Sequence, residues 1–169
     1  MSLAQSFPPV ADSSARVLIL GSMPGAASLT AQQYYAHPRN AFWRIMGDLI
    51  GAGPDLPYAQ RLEKLKAAGI ALWDVIAECH RPGSLDSAIV GASVMANDFS
   101  AFLAVHRSID RVFFNGGAAE TNFRRHVLPQ LENLGLSYGR LPSTSPAHAA
   151  RAYAEKLAAW RVIVEPPAK

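Results

Sequence analysis

Cysteine is nearly missing from this 169-residue chain: Cys79 stands alone. An internal disulfide is therefore impossible, and the ligand count argues against a cysteine zinc site or an iron–sulfur cluster. The bland role of a lone cysteine, a small side chain packed near a strand end, is the expectation for Cys79. Long apolar runs are also missing; none reaches the roughly 18 residues that a membrane-spanning helix needs. Residues 1–15 lack a basic cluster and an apolar stretch of the secretory kind. The expectations are no membrane contact and, by default, a cytoplasmic location. Charge is sparse at 17%, yet half the residues are apolar, so disorder is not expected. Lysine is scarce as well: of 16 basic residues only Lys64, Lys66, Lys156 and Lys169 are lysines. Guanidinium groups fork onto phosphate oxygens and stack on bases, so the arginine bias with a net charge of +3 permits a nucleic-acid partner.

Repeats, low-complexity tracts and Gly/Ser linkers are likewise missing, and the length suits one domain with one core. Residues 1–169 are read as that domain, with 1–15 and 165–169 as irregular tails. Four short apolar runs closed by turn residues read as strands covered on both faces: Arg16 to Gly21, Ile70 to Ile76, Arg111 to Asn115 and Leu136 to Leu141. Helical spacing fits Ala41 to Ile50 with Asn40 as N-cap, and Ala59 to Ala68 ended by Gly69. Asn97 or Asp98 caps a further helix to His106, and Glu120 to Leu131 and Ala149 to Ile163 complete the set. Strands alternating with helices predict a three-layer α/β/α sandwich around a central, mainly parallel four-stranded sheet.

Ligands of such sheets bind beyond the carboxyl ends of the strands. The segments falling there are Gly21 to Gly25 (GSMPG), Ala77 to Ser87, Asn115 to Gly117, and Pro142 to His148 (PSTSPAH). GSMPG runs on through Tyr34-Tyr35-Ala36-His37-Pro38-Arg39-Asn40 to Phe42-Trp43. Glycines allow close backbone approach after a strand, and paired tyrosines offer a flat surface for a base. Neither the phosphate-loop nor the dinucleotide glycine pattern is present. In PSTSPAH, hydroxyls and backbone amides at a helix start form a natural phosphate grip, although a plain capping loop reads equally well. No His/Asp/Glu set has metal spacing. His106 and His126 read as surface or packing residues, His80 lies beside the middle loop, and Asp86 with Ser87 most simply starts a helix.

Together, GSMPG with YYAHPRNAFW and LPSTSPAHA resemble the uracil-DNA glycosylase superfamily. The likeness is strongest to its hypoxanthine-DNA (deoxyinosine) glycosylase branch and extends to the mismatch-specific uracil/thymine glycosylases. It runs from Arg16 to about Val164, with WDVIAECHRPGSLDS and FFNGG where that branch has its middle strand ends. The resemblance implies a monofunctional glycosylase with no cofactor and no metal. It would act as a monomer on DNA carrying a deaminated base, hypoxanthine first and uracil second. A mismatch-specific glycosylase and a DNA-binding module that has lost catalysis stay open as alternatives.

It also implies roles. Tyr35 falls at the aromatic that stacks on the flipped base. Met23 falls where mismatch-specific enzymes keep a water-positioning asparagine, a duty that passes to Asn40 in the hypoxanthine branch; an N-cap is the other reading of Asn40. Asp74 lies near the position where uracil-specific relatives read the base, and either accepts from a ring N–H or caps a turn. Ser22 and Ser143 complete the base-binding set, Ser143 replacing a histidine or asparagine of relatives. Gly25, His37, Arg39, Ser145, Pro146, Ala147 and His148 form the DNA-binding set. Ala147 stands where relatives carry a bulkier apolar wedge, and alanine is a poor one. No lysine lies in either motif, which disfavours an imine-forming, strand-cleaving mechanism.

Overall fold

The computed structural model describes residues 3–166 except 83, 84, 86, 87, 133 and 149; for residue 148 the backbone alone is described. Four strands form the central sheet: β2 (Val17–Gly21), β3 (Ile70–Asp74), β6 (Arg111–Asn115) and β7 (Ser137–Leu141). Their order is β3-β2-β6-β7, and every pairing is parallel. This is the expected sheet, with each boundary within one residue except at the second strand.

The second run, expected to continue to Ile76, breaks at Val75. The chain there leaves the central sheet and enters β4 (Ile76–His80). Strand β4 pairs antiparallel with β1 (Leu3–Gln5) on one side and β5 (Met95–Ala96) on the other, giving a small second sheet. At the break the Asp74 carbonyl accepts from Asn97 Nδ2 and the Val75 carbonyl from the Asn97 amide, which ties the chain to the residue following β5. The expected irregular tail at residues 1–15 is corrected by the same sheet, since β1 lies against β4, and Val10 bridges antiparallel to Leu72. Of the other expected tail, 165–169, the last three residues lie outside the described set.

Side chains alternate across the parallel strands with period two. Val17, Ile19, Ile70, Leu72 and Phe113 face one way, packing on α2 (Phe42–Ile50), α3 (Tyr58–Ala67) and α6 (Tyr153–Trp160). Leu18, Leu20, Ala71, Trp73, Val112 and Phe114 face the other, packing on α4 (Phe99–Val105) and α5 (Gly117–His126). Helices thus cover both faces of an α/β/α sandwich. The Asp98 carboxylate caps α4 by accepting from the Ala101 amide, as expected for that position. His106 ends α4 and stacks on Phe102, a packing role. Cys79 is fully buried in β4.

Two expected helices begin later or end earlier than their spacing suggested. The 120–131 segment is α5 up to His126 followed by a 3-10 turn at Leu128–Gln130, where Pro129 lies. Of the 149–163 segment, whose first residue lies outside the described set, the helix begins at Tyr153 and tightens to 3-10 geometry at Arg161–Val164. One helix had no counterpart in the sequence reading: α1 (Ala26–Ala31), six residues between GSMPG and the tyrosine pair.

Candidate active site

Because the central strands are parallel, their carboxyl ends share one edge, and the loops leaving them enclose a cavity of about 450 Å³. The first loop supplies Ser22, Met23 and Gly25 to its wall, and the segment after α1 supplies Tyr35, His37, Arg39 and Asn40. Asp74 comes from the end of β3, and Ser143, Ser145, Pro146 and Ala147 come from the loop after β7. Every residue expected to be catalytic, base-binding or DNA-binding lines this one space except His148, which belongs to the 3-10 turn Pro146–His148 and whose side chain is not described. Asp86 and Ser87 lie outside the described residues.

At the floor, Gly21 separates a carboxylate from a phenol. A Cβ there would lie 2.5 Å from Asp74 Oδ1 and 2.9 Å from the Tyr35 hydroxyl, so both polar groups converge on the space that only glycine leaves open. Asp74 is 3% exposed. Its negative charge reaches the neighbouring phenol too: burial pushes the Tyr34 hydroxyl far above its ordinary pKa, and repulsion from Asp74 adds to the rise. Tyr34 is a support. Its hydroxyl donates to the Pro8 carbonyl, its amide donates to the Tyr58 hydroxyl, and its carbonyl accepts from the Trp43 indole.

Tyr35 follows in a left-handed backbone conformation, φ 54°. Its ring stacks on Phe42 with centroids 4.2 Å apart and 26° between planes. One face is therefore covered by the core, and the ring is only half-buried.

Asn40 lines the cavity and also makes a bond at the start of a helix. Helix α2 starts at Phe42, with Ala41 rather than Asn40 at the cap position. The Asn40 side-chain oxygen accepts from the Phe42 amide at 2.9 Å, which fixes its rotamer at the cavity wall. Its own amide donates to the His37 carbonyl, while His37 Nδ1 accepts from the Arg39 amide.

The loop after β7 is held differently from the expectation. Helix α6 begins too late for PSTSPAH to serve as its start, and the Thr144, Ser145 and Ala147 amides are engaged within the protein. Ser143 Oγ accepts from the Ser145 amide and Ser145 Oγ from the Ala147 amide, both at 3.2 Å. Such side-chain turns stiffen the loop, and their hydroxyl protons remain available as donors.

Sequence reasoning missed the pair that joins the two motifs. Asn115, at the end of β6, donates from Nδ2 to Thr144 Oγ1 and accepts at Oδ1 from the Thr144 amide, each at 2.9 Å. The Thr144 carbonyl in turn accepts from the Ala41 amide, one residue after Asn40. The signal for Asn115 was its place at a strand end before two glycines. Gly116 has φ 91°, and a Cβ there would lie 3.0 Å from Ser143 Cβ, so the second loop can close down on it. Arg81, also missed, is buried and donates to the Pro24 carbonyl, tying the middle loop to the first.

No group of three or more His, Cys, Asp or Glu among the described residues could hold a metal ion. No described helix is long and apolar enough to cross a membrane. What the cavity offers is a flat aromatic face, a buried carboxylate and fixed amide and hydroxyl groups.

Residues 8–164 match the family model of the uracil DNA glycosylase superfamily. A hypoxanthine DNA glycosylase of Methanosarcina acetivorans is 37% identical over 147 residues, 86% of this chain and 89% of the relative. Another, from Methanosarcina barkeri, is 42% identical over 113 residues, 66% of this chain and 70% of the relative. Among solved structures, a solution NMR structure of a provisionally assigned uracil DNA glycosylase from Methanosarcina acetivorans superposes with a TM-score of 0.77. It is 34% identical and covers 97% of this chain and 100% of its own.

Proposed function

Because this chain belongs to the uracil DNA glycosylase superfamily, in its hypoxanthine-DNA glycosylase branch, we propose that it excises hypoxanthine from DNA by hydrolysis. The observation carrying the substrate choice is the Asp74 carboxylate at the cavity floor beside the Tyr35 hydroxyl. An ionised carboxylate only accepts hydrogen bonds. Hypoxanthine presents a ring N–H to such a group, whereas adenine presents a lone pair at the same ring position and is repelled. Deamination of adenine thus converts a rejected base into an accepted one. Uracil and cytosine differ in the same sense, which makes uracil the second candidate. The relatives named hypoxanthine DNA glycosylases favour the purine.

In this reading the target nucleotide leaves the duplex and enters the cavity, at a cost of a few kcal/mol that is least for a mismatched base. The base stacks on the face of Tyr35 opposite Phe42. The glycosidic bond breaks toward an oxocarbenium-like sugar, and fixed donors stabilise the departing base. Asn40, held by the Phe42 amide, positions the attacking water on the opposite face of the sugar. With no lysine along either motif, the product is an intact abasic strand.

The test is a set of duplexes carrying deoxyinosine, uracil, a thymine mismatch or xanthine, followed by alkaline cleavage of abasic sites. Deoxyinosine strands should be cut fastest. Cleavage of none of them would end the glycosylase reading, and uracil cut faster than deoxyinosine would overturn the substrate assignment.

A further inference from the structure

A base that leaves a duplex leaves a gap, and proteins that unstack DNA commonly fill it with an apolar side chain. Ala147 faces the cavity from the loop after β7, but a single methyl cannot span a base step. On the same cavity lies Leu85, carried by the loop between β4 and β5. It is 57% exposed and belongs to neither core cluster, so folding does not account for its position. Isolated exposed leucines are ordinary on a protein surface. This one stands at the mouth of the site, where a branched four-carbon side chain meets whatever covers the cavity.

In the loop that carries Leu85, described residues before and after it are tied down. Arg81 donates to the Pro24 carbonyl at its root, the Val90 amide donates to the His80 carbonyl, and the Ala88 amide donates to the Leu85 carbonyl at 3.0 Å. Strand β4 beneath is paired on both sides. Leu85 is thus an apolar probe on a supported base, with His37 and Arg39 elsewhere on the same cavity wall.

We propose that Leu85 is the wedge that enters the base stack when the target nucleotide flips, the task that Ala147 is too short to perform. This rests on the glycosylase reading above. It makes Leu85 necessary for extraction from a paired duplex and dispensable once the base is already unpaired.

The experiment compares wild type, Leu85→Ala and Leu85→Met in single-turnover excision of deoxyinosine. The lesion is placed in a paired duplex and, separately, in an unpaired loop of the same strand. A 2-aminopurine next to the lesion reports unstacking. Leu85→Ala should lose roughly ten- to a hundredfold on the duplex, in line with the cost of opening a base step. It should lose the 2-aminopurine signal, keep its rate on the unpaired lesion and keep its melting temperature. Leu85→Met, which restores length, should recover most of the duplex rate. Equal rates for Leu85→Ala and wild type on the duplex would overturn the wedge while leaving the glycosylase reading intact. An equal loss on both substrates would overturn it too, making Leu85 a wall of the base pocket. Wild type cleaving neither substrate would overturn both.

Discussion

At the scale of single residues, the site depends on what Gly21 leaves out. Asp74 Oδ1 and the Tyr35 hydroxyl would lie 2.5 Å and 2.9 Å from a Cβ at that position, closer than any real contact allows. Gly21→Ala must therefore push the carboxylate or the phenol out of place. Both are built into rigid surroundings, Asp74 at a strand end and Tyr35 against Phe42. The expected outcome is a fall in excision of at least tenfold, with far-UV circular dichroism unchanged; a variant of wild-type rate would detach this floor from base recognition. Asn40 gives a complementary test. Its side-chain oxygen holds the Phe42 amide, so Asn40→Ala removes both a helix-start bond, worth about 1 kcal/mol, and the group assigned to the water. Asn40→Asp preserves the acceptor for Phe42. A role confined to capping predicts that Asn40→Asp behaves as wild type. A role in placing water predicts that Asn40→Ala loses roughly 10²- to 10³-fold in single-turnover rate while still binding the damaged duplex, and that Asn40→Asp, whose second oxygen accepts from the water, differs from wild type in the pH dependence of that rate.

At the scale of elements, the catalytic edge is a product of loops tied to one another, and Asn115 with Thr144 is the knot. Two reciprocal bonds at 2.9 Å fix the loop after β7 to the end of β6, and the Thr144 carbonyl holds the Ala41 amide beside Asn40. Thr144→Val keeps the shape of the side chain and its backbone bonds but leaves Asn115 Nδ2 without its acceptor. It should cost about 1–3 kcal/mol of stability. Its excision rate should also fall, with little change in duplex affinity; a rate loss no larger than the unfolded fraction explains would reduce the pair to a structural clasp. This knot was hard to read from the chain, because its members are 29 positions apart and each looks like an ordinary loop residue. Strands β2, β3 and β6 were easy to read for the opposite reason, each being a buried, largely apolar run closed by a turn residue, whereas β7 departs from the expectation of cover on both faces: it is an edge strand in which only Leu141 is buried. The break at Val75 left no trace in sequence, since Ile70 to Ile76 is apolar apart from Asp74, and the contacts made there, from Asn97 to the Asp74 and Val75 carbonyls, come from more than twenty positions away. Helix α1 escaped because six residues carry too little periodicity.

At the scale of the whole molecule, a parallel sheet separates its two edges by chemistry. All carboxyl ends, and hence the cavity, lie on one edge, while the amino ends of the same strands lie on the other. The net charge is only +3, so the proposed DNA partner calls for placed arginines more than for bulk charge. Arg39 is exposed on the cavity side, whereas Arg107 follows α4 and precedes the start of β6 on the far edge, its guanidinium donating to the Ala104 carbonyl. Each phosphate contact releases counterions, so the slope of log K against log salt falls by about 0.9 for every contact removed. Arg39→Gln should therefore flatten the salt dependence of duplex binding by about one contact's worth, and weaken binding equally for damaged and undamaged DNA. Arg107→Gln should leave both slope and affinity at wild-type values, because it points to no phosphate when the cavity edge faces the duplex. Fluorescence anisotropy across a series of salt concentrations measures both. A flatter slope for Arg107→Gln with none for Arg39→Gln would mean that DNA lies along the opposite edge of the sheet, away from Asn40, Tyr35 and Asp74.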